Sequence, residues 1–369
     1  MIAYKVAYMF GGMNRGGAET LLLDVFCNWQ KAPFSFIGVH RKEGAYKDAF
    51  YSAGPTLYHL APKQFGHLRY FFRLRQLLKN EGVSIIHTQH WLDCIYAYIA
   101  TIGIPVRIIN TFHGFYSLTG INGLLCRLSI RLADAVCFVS HYEKEWYQNR
   151  CRIADSKCYV IYNGVDFSKI DSAQTSMTFD NQPRRIRLAM VGNFVGNRSQ
   201  IVVCKAINIL KKRDITKFDF YFIGKMNEKE PEFYDDCVMY CKDHHLDNVR
   251  FLGSRDDVPS LLKSMDGFVY STNNDTFGIA IIEAIATGLP IVTNDWIVMK
   301  EICRDLSVDT VRYFQTGDSE DCARQMMALI ETLEKSKQSA IKDSLHIKKR
   351  FSIEQYIDNL YHLYNYMRR

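Results

Sequence analysis

Short apolar runs rich in β-branched and aromatic residues alternate with helical patterns along this chain, and that alternation constrains its fold most. In the first half the runs read as strands at Lys5–Met9, Phe34–Val39, Ser84–Thr88, Val106–Asn110, Ala135–Val139 and Cys158–Tyr162. Helical stretches fall between them, for example Glu19–Trp29, Leu68–Asn80 and Asp93–Thr101. A polar, weakly patterned segment follows at 168–185. The alternation then restarts, with strands expected at Ile186–Val191, Phe218–Ile223, Val249–Leu252, Gly267–Tyr270 and Pro290–Thr293. Strands separated by helices predict βαβ units and parallel sheets, and 369 residues exceed one ordinary core. The expected fold is α/β: two doubly wound, Rossmann-like domains facing across a cleft. The first spans residues 1–167, the linker 168–185, the second domain 186–351, and a closing helix 352–369.

Charge is uneven along the chain. Residues 1–150 hold 16 Lys/Arg against 9 Asp/Glu, so the formal net charge of +7 lies there and the remainder is neutral. Such asymmetry suits a half that faces something anionic, a membrane surface or a phosphorylated substrate. Nucleic-acid binding would draw on charge alone, since no recognition motif accompanies it. No stretch is apolar enough to span a bilayer: the best, 92–109, is broken by Asp93, Gly103, Pro105 and Arg107. The N-terminus reads as a strand entering a glycine loop, not as a signal peptide. Eleven cysteines without framework spacing read as reduced thiols, and the expected location is cytoplasmic.

In such sheets ligands bind at the carboxyl ends of strands, so the βα loops come next. Strand one ends in FGGMNRGGAET, with glycines at 11, 12, 16 and 17 before a helix start. Glycines permit close backbone approach, and a helix N-terminus offers free N–H groups to an anion. The dinucleotide fingerprint fails at its middle glycine and no Walker lysine follows, which weakens a nicotinamide dehydrogenase reading. The second half repeats the device in VGNFVGNRSQ, with Gly192, Gly196, Arg198 and a potential cap in Ser199. An arginine at a helix start is unfavourable unless an anion also sits there, which makes Arg198 a phosphate-ligand candidate; the plainer reading is a solvated arginine.

The segment NNDTFGIAIIEAIATGLPIVTND is almost wholly apolar from Phe277 to Leu289 except for Glu283, with Asp275 eight residues before it. A carboxylate in an apolar helix costs several kcal/mol unless it is paired. Ribose hydroxyls would satisfy Glu283, and a sugar ring Asp275.

Asp275-x7-Glu283 resembles the E-x7-E motif of family-4 retaining glycosyltransferases of the GT-B fold. GGAET (16–20), TFHGF (111–115), FVSHYEKEW (138–146) and VIYNGVDFSKI (160–170) resemble further stretches of that family in the same order. The resemblance implies that Glu283 binds the ribose and that Arg198 takes the diphosphate where the family uses lysine. It implies that Gly16 and Gly17 approach the donor, that His113 touches the hexose, and that the backbone N–H groups of Phe277, Gly278 and Ile279 line the sugar pocket. Gly192 and Asn193 belong to the same donor loop. It also implies a C-terminal helix crossing back to the first domain. Asp275 is one methylene shorter than the family's Glu, and Asn193 stands where arginine is frequent.

The implied reaction is transfer of a hexose, from a UDP-sugar by family frequency, to a glycan or lipid-linked acceptor with retention, as in capsule, O-antigen or exopolysaccharide assembly. Catalysis would rest on Arg198, His113 and Asp275, with no protein nucleophile and no cofactor. No D-x-D motif occurs, so no metal is expected. A zinc reading of Cys237, Cys241, His244 and His245 competes with a solvated amphipathic helix. Arg69, Arg73 and Lys79 on a basic, aromatic helix, with Arg127 and Arg131, would rest on an anionic membrane; the plainer reading is a solvated basic face. A GT-B nucleotide-sugar epimerase and a weakly catalytic nucleotide-sugar-binding protein are the competing functions.

Overall fold

The computed structural model describes residues 4–175 and 185–368. The chain forms two compact units, Met1–Val165 with Phe351–Arg369, and Asp166–Arg350.

The first unit holds strands β1 (Lys5–Phe10), β2 (Ser35–His40), β3 (Leu57–His59), β4 (Val83–Thr88), β5 (Arg107–Thr111), β6 (Ala135–Phe138) and β7 (Cys158–Val160). Between them lie helices α1 (Gly17–Cys27), α2 (Lys47–Ser52), α3 (Pro62–Phe65), α4 (His67–Asn80), α5 (Trp91–Thr101), α6 (Gly120–Leu132) and α7 (His141–Cys151). The sheet runs β3-β2-β1-β4-β5-β6-β7 with every pair parallel. The order reverses between β1 and β4, so the crevice at their carboxyl ends is the place for a ligand.

The second unit repeats the plan. A short helix α8 (Ser168–Ser172) is followed by β8 (Ile186–Val191), α9 (Gln200–Lys212), β9 (Phe218–Ile223), α10 (Glu232–Asp243), β10 (Val249–Phe251), α11 (Val258–Lys263) and β11 (Gly267–Tyr270). Then come α12 (Ile279–Ala286), β12 (Ile291–Asn294), α13 (Ile297–Ile302), β13 (Val311–Phe314), α14 (Ser319–Glu331) and α15 (Leu333–Phe351). The sheet order is β10-β9-β8-β11-β12-β13, again parallel, with its switch point between β8 and β11.

The segment read as a linker opens with α8, and the carbonyls of its Asp171 and of Ala173 just after it accept from Lys263 Nζ at 3.0 and 2.7 Å. Residues 176–184 of it lie outside the described residues.

The last helix, α16 (Ile353–Arg368), belongs to the first unit. Ile353, Tyr356, Ile357, Leu360, Leu363 and Tyr364 are buried, the i, i+3, i+4, i+7 stripe of a helix facing a core. They join Tyr8, Phe26, Phe34 and Phe36 in one cluster. A polar chain crosses this apolar setting. His87 Nε2 lies 2.6 Å from Thr111 Oγ1 and its Nδ1 2.6 Å from Tyr364 Oη, while Tyr364 Oη donates to Tyr8 Oη at 2.9 Å. The opposite face of the sheet carries α4, α5 and α6; α4 buries Tyr70, Leu74 and Leu78 against it. Among the described residues no helix is long and apolar enough to cross a membrane.

Candidate functional site

In the second unit three loops meet at the carboxyl edge of the sheet. Asn197 accepts at its carbonyl from Thr272 Oγ1 at 2.8 Å and from Asn273 N at 2.9 Å, and Arg198 forms an antiparallel bridge with Thr272. Asn294 donates to the Thr272 carbonyl at 2.7 Å, and Trp296 Nε1 to that of Asp275 at 2.8 Å. These backbone ties bring together two residues that the sequence separates widely, Arg198 and Asp275.

The Asp275 carboxylate is engaged from within the protein. It accepts from Asn197 Nδ2 at 2.9 Å and from Tyr270 Oη at 2.5 Å, and it lies 3.6 Å from Arg198 Nη2. Its side chain is 6% exposed, so the acid assigned to a sugar ring instead faces a cation and two donors. Being one methylene shorter than glutamate, it fits this internal position.

Arg198 also lies over the Tyr270 ring, 5.2 Å from its centroid. Burial works against its charge, but the neighbouring Tyr270 and Asp275 outweigh that and keep its pKa above the ordinary value. Its buried Nε has no hydrogen-bond partner among the described residues. A Cβ on Gly192 would collide with the guanidinium, so glycine there is what lets the Arg198 side chain lie against this loop. Gln200 Nε2 holds the same loop by donating to the Asn193 carbonyl at 3.1 Å. The Asn193 side chain is turned to the next loop, its Oδ1 accepting from Lys225 N at 3.2 Å. Ser199 stands at the N-cap of α9, but its hydroxyl makes no capping bond.

Helix α12 starts at Gly278 beside this cluster. Its first amides have no intrahelical acceptor, by helix geometry. Ile281, Ile282, Ala284, Ile285 and Ala286 are buried, whereas Glu283 is only half-buried. The lone acid of the apolar stretch therefore avoids the cost of complete burial.

In the first unit Gly16 is the extended N-cap of α1, and Gly17 its first residue. A Cβ on Gly16 would collide with the Glu19 carboxylate, which burial pushes up in pKa. The helix start proposed for a phosphate thus already has an acid beside it. His113 follows β5, and its Nε2 lies 2.8 Å from Gln89 Oε1. Because a carboxamide oxygen only accepts, Nε2 carries the proton and Nδ1 is the ring's acceptor. Burial lowers the His113 pKa to about 4, so the imidazole is neutral near pH 7. Gln89 and His113 stand at the ends of β4 and β5, beside the switch point.

The basic residues lie elsewhere in this unit. Arg69, Arg73 and Lys79 are exposed on α4, with Leu68 (87% exposed) and Phe72 (68%) among them. Arg127 and Arg131 lie on α6. The zinc reading fails on geometry: Cys237 and Cys241 turn inward beside Cys204, while His244 stacks on Tyr240 with centroids 4.0 Å apart.

Sequence reading does not single out Gln89, Asn197 or Tyr270. Gln89 alone left a signal, as a polar residue directly after a strand (HTQH, 87–90).

The family model for Glycosyltransferase Family 4 matches residues 15–169, and that for Glycosyl transferases group 1 matches 185–332. EpsF of Bacillus subtilis, whose name is that of a glycosyltransferase, is 22% identical over 98% of this chain and 96% of its own. The UDP-Gal:alpha-D-GlcNAc-diphosphoundecaprenol alpha-1,3-galactosyltransferase of Escherichia coli is 25% identical over 60% of each chain. Among solved structures, Anabaena HepE in complex with UDP superimposes with a TM-score of 0.84 at 17% identity, over 98% of this chain and 99% of that one. Two matched family models in tandem, on two parallel sheets of one strand order, place this chain among the family-4 glycosyltransferases of the GT-B fold.

Proposed function

We propose that the protein moves a hexose from a uridine diphosphate sugar to a hydroxyl of a lipid-linked glycan, with retention at the anomeric carbon, in the assembly of a cell-surface polysaccharide. The observation that carries the donor half is Arg198. It is a partly buried cation at a switch point, held by Asp275 and Tyr270, with a buried Nε–H that has no acceptor among the described residues. A diphosphate supplies such an acceptor. The uridine and lipid-linked choices are supported by relatives: HepE is seen with UDP, and the Escherichia coli enzyme is named for UDP-Gal and a diphosphoundecaprenol acceptor.

In this reading Glu283 accepts from the ribose hydroxyls, and the amides of Phe277, Gly278 and Ile279 meet the sugar. Gly192 and Asn193 border the diphosphate. Asp275 acts through Arg198, fixing its orientation. His113, neutral and fixed by Gln89, offers Nδ1 to a hexose hydroxyl, and Gly16 and Gly17 let the first unit's backbone approach the donor. Charge building on the leaving diphosphate is stabilised by Arg198 and by helix N-termini already in place. The departing phosphate takes the acceptor proton, so neither a protein nucleophile nor a metal is invoked. Residues 1–167 serve the acceptor and 186–351 the donor. The exposed Arg69, Arg73 and Lys79 of α4, with Arg127 and Arg131, rest on an anionic membrane at the inner face of the cell.

The test is thermal stabilisation by UDP, GDP and ADP, with Glu283→Ala beside the wild type. Ligand at a hundred times Kd adds about 2.7 kcal/mol, a readily measured shift. Stabilisation by UDP that Glu283→Ala abolishes supports the reading; equal shifts in both proteins would remove Glu283 from the ribose.

A further inference from the structure

The last turns of α6 and α7 enclose a cavity of about 570 Å³ lined by Arg127, Arg131, Arg150, Arg152 and Lys157. Five cations around one hollow repel each other unless something anionic lies among them. The protein compensates only part of this. Arg127 Nη1 donates to the Arg150 carbonyl at 2.7 Å and Lys157 Nζ to the Arg131 carbonyl at 2.9 Å, so each satisfies the end of a helix. Arg150 lies over the Trp146 ring, 4.4 Å from its centroid. Among the described residues no carboxylate forms an ion pair with any of the five. The acids nearest in sequence pair directly with other cations, Asp134 with Arg107 at 3.1 Å and Asp155 with Lys144 at 2.6 Å, and Asp134 acts on Lys157 only through space.

The cavity is separate from the loops around Gln89 and His113. In a right-handed βαβ unit each helix carries the chain back from the carboxyl edge to the amino edge, so the ends of α6 and α7 lie at the amino edge. Helix α6 also carries an exposed apolar row: Ile121 is 78% exposed, Leu124 67% and Leu128 38%. At 3.6 residues per turn these share an arc of about 120° with Arg127 and Arg131. An apolar row with cations at its margin is how a helix lies in a bilayer interface, side chains in the acyl boundary and charges level with phosphates.

We propose that this basin is a phosphate site for the headgroups of an anionic lipid surface, seated there by the Ile121, Leu124 and Leu128 row. It deepens and rests on the membrane reading above, and it is independent of the transfer chemistry.

The full-length protein is pelleted with vesicles of phosphatidylcholine alone or mixed with phosphatidylglycerol. Compared are the wild type, Arg131→Glu/Arg150→Glu/Arg152→Glu, the milder Arg131→Gln/Arg152→Gln, and Arg69→Glu/Arg73→Glu/Lys79→Glu. Melting temperatures report that each variant is folded. The expected result is binding that needs the anionic lipid, about tenfold or more weaker in the basin triple variant and partly weakened in the milder one. Binding unchanged in both basin variants overturns the proposal, and loss only in the α4 variant leaves the membrane reading standing without it. A wild type that never pellets overturns both. If it never pellets but inorganic pyrophosphate raises its melting temperature, and not that of the basin variant, the site is one for a soluble anion and the lipid assignment is wrong.

Discussion

Tyr270 donates its hydroxyl to Asp275 Oδ2 at 2.5 Å, on the carboxylate that faces Arg198. That bond gives Asp275 an inward role and sets a test against the family's longer acid. Asp275→Glu adds a methylene to a site closed by Asn197, Tyr270 and Arg198. It should cost about 1–3 kcal/mol, read as a lowered denaturation midpoint. A carboxylate reaching out to a sugar would tolerate the change.

Arg198→Ala should lower kcat by about a hundredfold or more, the usual cost of removing one donor to a developing anion. Gly192→Ala should do much the same without touching the charge, because its Cβ collides with the guanidinium. Steady-state rates at saturating donor check both. A Gly192→Ala enzyme of normal rate would show that Arg198 can act from another orientation.

Acid should loosen the first unit through His87. Burial depresses its pKa from 6.5 to about 3. The unfolded chain takes up the proton first, so this contribution is complete above pH 6.5 and drains away as pH falls toward 3, at about 1.4 kcal/mol per pH unit. His113, depressed to about 4, adds to the upper part of the same window. Urea midpoints measured down the pH scale should fall more gently in His87→Gln than in the wild type.

Leu360 is fully buried on α16. Leu360→Ala should cost about 2–5 kcal/mol, and it should do so in the first unit. Amide exchange resolved by segment checks this: protection should drop in β1 and α1, with β8 and β11 unchanged.

Much of the fold was legible because period-2 and period-3.6 patterns alternate so regularly. Strands Ile186–Val191, Phe218–Ile223 and Gly267–Tyr270 were read to their exact ends. Two edge strands were not, β3 (Leu57–His59) and β13 (Val311–Phe314). Both lie at sheet edges, and their half-buried positions interrupt the apolar run, whereas the equally short Gly267–Tyr270 is buried at every position. The site was legible residue by residue but not as contacts. Arg198 and Asp275 each stood out through local chemistry, an arginine at a helix start and an acid beside an apolar helix. Their pairing depends on backbone ties between loops, and Asn197 lies 78 positions from the carboxylate it holds. Ser199 shows the converse: a good capping residue at the right place makes no cap, because backbone pairing with the β11 loop sets its orientation, Ser199 N donating to the Ser271 carbonyl at 3.2 Å.

Helix α16 also sets a timetable for synthesis. The first unit begins at the N-terminus yet finishes only with Phe351–Arg369, after the whole of Asp166–Arg350 has been made. At about 5–20 residues per second, that delay is roughly 10–40 s. Throughout it, the aromatic face of Tyr8, Phe26, Phe34 and Phe36 lacks the helix that covers it. The second unit has no such wait, since all of Asp166–Arg350 is made before the first unit receives its last helix.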